Sequence, residues 1–146
     1  MRQTTTKVAA ALILAAAGVA LPHGTSSAGP GGHQVTYTVT AANALVAHIM
    51  FMALEPENTT AYADNPAKYL YAIRPKVNPD APWSYTTTLA NPNEWATVQA
   101  YNHFAEKDQP PNTPGINAGF HCAITIDGQV VVSRQGDRDV ECSTRW

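Results

Sequence analysis

Asp127-Gly128 sits between two β-branched runs, and the only two cysteines, Cys122 and Cys142, bracket the whole arrangement. The stretch opens Cys-Ala-Ile-Thr-Ile-Asp-Gly-Gln-Val-Val-Val-Ser and closes Glu-Cys-Ser-Thr-Arg-Trp. Asp-Gly in that setting predicts a two-residue type I′ hairpin turn, because glycine accepts the positive φ the turn needs. If the cysteines pair, they tie the first hairpin strand to the C-terminal strand. A loop of about 20 residues closed in this way stabilises a fold by roughly 3 kcal/mol in the chain-entropy model. The alternative is two free buried thiols.

The N-terminus bears on the choice between these. Arg2 and Lys7 form a positive start, and Val8 to Leu21 is an unbroken run of apolar and small residues. Pro22, His23 and Gly24 break it, and Ser26-Ser27-Ala28 places small residues where a signal peptidase reads them. Residues 1–28 therefore read as a signal peptide, with cleavage before Gly29. The rival reading is an uncleaved anchor, for which the apolar run is short of the roughly 20 residues that span a bilayer. Export makes a structural disulfide chemically reasonable. Without Arg2 and Lys7 the chain carries seven basic against eleven acidic side chains, a net −4. That balance excludes nucleic-acid binding as the main task, since neutralising phosphates needs clustered Lys and Arg.

The rest of the chain alternates in short pieces. Residues 29–33 read as a flexible leader. In Gln34 to Thr40, Val35, Tyr37 and Val39 face one side and the threonines the other, the pattern of a half-buried strand. Ala47 to Leu54 is almost wholly apolar and short, which favours a buried strand over a helix. Glu55 to Pro82 is irregular, with five prolines and three tyrosines. Within it, Asn65-Pro66 could open a helical turn and Tyr69 to Arg74 form a short strand. Ser84 to Leu89 and Trp95 to Tyr101 read as strands with a turn at Asn91-Pro92-Asn93 between them. About seven short strands, no long helix and turn residues between them predict an all-β fold, a small antiparallel β-sandwich of immunoglobulin-like type over residues 34–146, with one disulfide near the C-terminus.

Three pieces occur in the order found in a known family: Val35-Thr-Tyr-Thr-Val39 in the first strand, Ala81-Pro82-Trp83 before a Thr-rich strand, and Cys122-Ala-Ile-Thr-Ile-Asp-Gly128 with a second cysteine near the end. In these the chain resembles the mycobacterial membrane protein small family, MmpS. The resemblance implies a β-sandwich on the outer side of the cytoplasmic membrane. It also implies a non-enzymatic accessory role beside lipid or siderophore exporters, with an exporter subunit as envelope partner. Members of that family carry a full transmembrane helix, whereas Val8 to Leu21 reads as a signal peptide. The resemblance is therefore to a secreted, stand-alone relative, whose membrane contact depends on the N-terminal segment being retained.

No residue set amounts to a catalytic signature. His33, His48, His103 and His121 lack metal-ligand spacing, so no metal or cofactor is expected. Ser84 or Ser133 with a histidine would need an orienting acid, and no Gly-x-Ser-x-Gly elbow is present. Glu55, Glu57, Glu94 and Glu106 read as solvated loop charges before glycosidase carboxylates. Asp137-Arg138-Asp139 reads as a charged turn, without the glycine and glutamate placement of a calcium loop. The aromatics are the remaining signal. Trp83 and Trp95 suit the core. Tyr62, Tyr69 and Tyr71 suit a recognition surface, with Arg74 and Lys76 supplying positive charge at its edge. The expectation is an exported envelope interaction protein that acts by binding. The alternative is a secreted carbohydrate- or lipid-binding module using the tyrosine- and proline-rich segment, and a small secreted hydrolase ranks last. Mass spectrometry of the exported protein is expected to find a chain starting near Gly29; intact residues 1–28 on membrane-held protein would restore the anchor.

Overall fold

The computed structural model describes residues 31–102 and 117–145, and residues 1–28 with their cleavage site lie outside them. Nine strands are present among the described residues: β1 (His33–Ala41), β2 (Leu45–Met52), β3 (Leu70–Ile73), β4 (Lys76–Val77), β5 (Trp83–Leu89), β6 (Thr97–Asn102), β7 (Phe120–Ile126), β8 (Gln129–Gly136) and β9 (Asp139–Ser143). Two short helices, α1 (Thr59–Asp64) and α2 (Pro92–Trp95), and a 3-10 turn at Pro66–Lys68 complete them. Sheet one has the order β5-β1-β7-β8, and sheet two the order β3-β2-β6-β9 with β4 also on β2. All pairings are antiparallel.

The expected sandwich is present, with two strands more than the alternation in the sequence suggested. The unforeseen β4 is two residues long, too short to show a period, and it pairs with Leu45 and Val46 beyond the end of β3. The strand predicted from Trp95 begins at Thr97 instead, because Pro92 sits at the start of α2, where its missing N–H costs nothing. His33, placed in the leader by the sequence, opens β1. Its Nδ1 lies 2.6 Å from Asp127 Oδ2. The Gln34 N–H donates to the other carboxylate oxygen at 2.9 Å. These two bonds, the histidine's first, hold the Asp127 carboxyl below its ordinary pKa. They also latch the hairpin tip onto the first strand. The tip itself is the expected type I′ turn in its signs of φ, +50° at Asp127 and +85° at Gly128.

Alternation decides which face of each strand is buried. Val35, Tyr37, Val39 and Ala41 of β1 meet Ala47, Ile49 and Phe51 of β2 across the core, with Phe120 and Ile124 of β7 and Val98 of β6. Full burial of each large apolar side chain contributes about 1.5–3 kcal/mol. Tyr37 brings a polar atom into this core. Its hydroxyl is buried without a hydrogen-bond partner, and burial drives its pKa far up; the Thr97 backbone is near enough to offset part of that but not in bonding geometry.

Cys122 and Cys142 are bonded, with S–S 2.08 Å and Cα–Cα 6.1 Å, and both are fully buried. Cys122 belongs to β7 of sheet one and Cys142 to β9 of sheet two, so the bond crosses the core. The chain passes between the sheets at Asp137-Arg138, the charged turn expected from the sequence. Gly136 makes that corner possible, since a Cβ there would run into the Asp139 carbonyl oxygen. Alkylation of the native protein should find no free thiol. Replacing both cysteines by alanine should lower stability by about 3 kcal/mol while the far-ultraviolet dichroism stays that of a β-sandwich.

Candidate functional site

The outer face of sheet two is not solvated like that of sheet one. Of its outward positions in β2, Val46, His48, Met50 and Met52, the last two lie toward β3, where Leu70 stands directly beside Met52. Gln99 of β6 pairs with Met50 on one side and Glu141 of β9 on the other. Apolar side chains on an outer face need cover, and α1, α2 and the C-terminal arm supply it. Asn58 caps α1 by accepting the Ala61 N–H at 2.8 Å, which turns Tyr62 over the sheet. Glu55 accepts the Asn91 N–H at 2.9 and 3.1 Å and holds the loop that starts α2. The arm is pinned to α2: Thr144 Oγ1 donates to the Pro92 carbonyl at 2.6 Å, and its N–H donates to Ala96 at 3.1 Å.

The cover is incomplete and leaves a groove of about 210 Å³. Met50, Met52 and Leu70 line it together with Tyr62 and Trp95, and Glu94, Glu141 and Arg145 bring charge. The Trp95 ring has two neighbours, Tyr62, 5.7 Å away between centroids, and the Arg145 guanidinium, 5.1 Å from its centroid. Arg145 Nη2 is 3.5 Å from Glu94 Oε1. Asn91 Nδ2 donates to the other Glu94 oxygen at 3.0 Å.

The structure divides the surface expected from the sequence. Tyr62 lines the groove, half-buried. Tyr69 is a core residue, 5 % exposed, with its ring 6.4 Å from that of Tyr62. The physical reason is its position at the end of the 3-10 turn, where its carbonyl receives the N–H groups of Ala53 and Leu54 and draws it against β2. Tyr71 faces the opposite way, toward the gap between the sheets. There it joins Phe51, 6.1 Å away, whose ring also contacts Trp83 and Tyr85. Arg74 and Lys76 are exposed at the β3–β4 edge, away from the groove. Trp95 is buried as expected, although under the outer face of sheet two rather than between the sheets. Of the residues missed, Met50, Met52, Leu70, Gln99, Glu141 and Arg145, only the two methionines had a signal: apart from His48, Ala47 to Leu54 is apolar on both faces, the mark of a strand covered on both sides.

Other candidate chemistry is resolved by its neighbours. His121 Nε2 and Ser133 Oγ are 2.8 Å apart on adjacent strands, so the structure does bring one serine to a histidine. No carboxylate orients that histidine among the described residues, and the pair stands on the exposed outer face of sheet one. Ser84 is exposed on β5. Tyr101 Oη lies 2.7 Å from His48 Nδ1. Among the described residues no three His, Cys, Asp or Glu side chains come close enough to hold a metal. No helix among them is long and apolar enough to cross a membrane. Glu106 and His103 lie outside the described residues.

Comparison with known proteins gives one family model, the Rv2576c beta-sandwich domain, matching residues 37–142. The chain is 42 % identical over 118 residues to the uncharacterized protein Rv2576c of Mycobacterium tuberculosis, an alignment that covers 81 % of this chain and 70 % of the relative. The same figures hold for the uncharacterized protein Mb2606c of Mycobacterium bovis. The resemblance to MmpS is thereby corrected: the match falls on another β-sandwich family and none falls on MmpS. The division of the tyrosines has a thermodynamic consequence. Tyr69→Ala should cost about 3 kcal/mol or more in denaturant unfolding, as for other buried aromatics, and Tyr62→Ala about 1 kcal/mol.

Proposed function

The chain belongs to the Rv2576c β-sandwich family, and from that premise we propose that it is an exported binding module of the cell envelope that grips a partner protein in the outer groove of sheet two. The observation that carries this reading is the groove itself: an apolar floor with two aromatic rings, and charge at its side. Its volume of about 210 Å³ is below the range of roughly 300–1,000 Å³ in which drug-sized ligands are enclosed. That favours one side chain of a partner protein over a whole glycan or lipid. Apolar and aromatic pockets that take a single anchor dominate protein interfaces in this manner.

Export is supported by the charged start and apolar run of residues 1–28. The buried disulfide fits the same compartment, since such bonds persist where thiols are not kept reduced. Binding rather than catalysis is favoured because the His121–Ser133 pair stands on an exposed face, and no carboxylate among the described residues orients its histidine. Glu94 of the groove is engaged with Arg145 and Asn91 instead.

The test uses the exported protein with a photo-crosslinking residue at Gln99, exposed to envelope fractions. A protein adduct is expected. Met50→Trp, which fills the groove, should cut its yield about tenfold or more with little change in melting temperature. Adducts of lipid or glycan mass in place of protein would return the alternative of a lipid- or carbohydrate-binding module.

A further inference from the structure

Arg145 is more than a rim residue. Its guanidinium stacks on Trp95 at 5.1 Å and reaches Glu94 at 3.5 Å, while a second carboxylate, Glu141, lines the same groove. A flat aromatic face beside a carboxylate is the arrangement that receives a guanidinium, by cation–π attraction and charge-assisted hydrogen bonding together. Met50 and Met52 offer adaptable apolar contact to the methylene stem of such a side chain. The resident cation does not balance the site. Two carboxylates against one guanidinium leave the groove one negative charge in excess, and two if Arg145 swings out. Nor is Arg145 held tightly. Its side chain is 49 % exposed, its ion pair is long, and its backbone is anchored independently through Thr144. The side chain can therefore leave while the arm stays.

We propose that the outer groove of sheet two recognises an arginine side chain on a partner polypeptide, and that Arg145 is an internal competitor occupying the same seat. This rests on the groove being the binding site, and it names the partner's anchor. Trp95 is 5 % exposed with Arg145 in place, so displacing Arg145 is what frees the ring for the incoming group. A lysine would lose the planar stack on Trp95, and an uncharged isostere would lose the carboxylates.

The full exported protein is titrated with the blocked peptide Gly-Arg-Gly, and with its lysine and citrulline counterparts, while the Met50 and Met52 methyl and Trp95 indole signals are followed by nuclear magnetic resonance. The arginine peptide should move those signals, the lysine peptide less, and the citrulline peptide not at all. Arg145→Ala should bind the arginine peptide about fivefold tighter, since the competitor is gone. Glu94→Gln should bind it about tenfold more weakly. Glu141→Gln, which leaves the α2 contacts intact, reports the same direction if Glu94→Gln disturbs folding. An Arg145→Ala protein that binds equally or more weakly overturns the competitor, and equal binding of citrulline overturns guanidinium recognition. Tighter binding of choline than of the arginine peptide assigns the groove to small organic cations and overturns the polypeptide partner. If arginine fails while a protein still crosslinks at Gln99, this inference alone fails; if neither engages the groove, the binding reading falls with it.

Discussion

The Cys122–Cys142 bond joins β7 of one sheet to β9 of the other through the middle of the core. Between those two residues the chain makes its hairpin, runs back along β7 and turns the Gly136 corner into sheet two. The bond therefore fixes how the sheets face one another. The remaining strands are placed from it: β1 lies between β7 and β5, and β6 lies between β9 and β2. A domain of this size buries a limited core, and a crosslink between its layers offsets chain entropy that burial alone would have to overcome.

The two outer faces show what a sheet needs once that frame is set. Sheet one turns threonines outward, and they bond to one another, as Thr36 does with Thr86 at 2.9 Å. That threonine face is at rest in water, although Val130 and Val131 of the edge strand β8 are exposed on the same sheet. Sheet two turns Met50, Met52 and Leu70 outward, and water there is unfavourable. Two short helices and the C-terminal arm cover them, held by side-chain bonds rather than by length: Asn58 at α1, Glu55 on the Asn91 loop, and Thr144 on α2. The groove is the part of that face the cover does not close. It places apolar, aromatic and charged groups side by side, which neither sheet could do alone.

The residues that suggested MmpS all have structural work. Val35 to Val39 is the central strand of sheet one, Ala81-Pro82-Trp83 leads into its edge strand β5, and Cys122 to Gly128 is β7 with the hairpin turn. Motifs that build strands and turns recur wherever the same sandwich is built, so they carry architecture more than kinship. The groove residues are scattered over β2, β3, β6, β9, both helices and the arm, and contribute nothing to those motifs.

What the sequence determined by itself was local and periodic. Alternation over residues 34–40 separated core from solvent in β1, and Asp127-Gly128 required its turn because few other pairs take two positive φ angles. Reading residues 1–28 as a signal peptide made a bonded cysteine pair the sensible expectation. Tertiary structure alone decided the rest, because it depends on which element lies over which. Tyr62, Tyr69 and Tyr71 are close in sequence, yet a helix, a 3-10 turn and a strand send them to the groove, the core and the gap between the sheets. Nothing in the order of residues brings Arg145 to Trp95, fifty positions earlier. That contact exists because β9 pairs with β6 and delivers the arm onto α2, where Thr144 binds the helix carbonyls and sets the guanidinium beside the ring and Glu94.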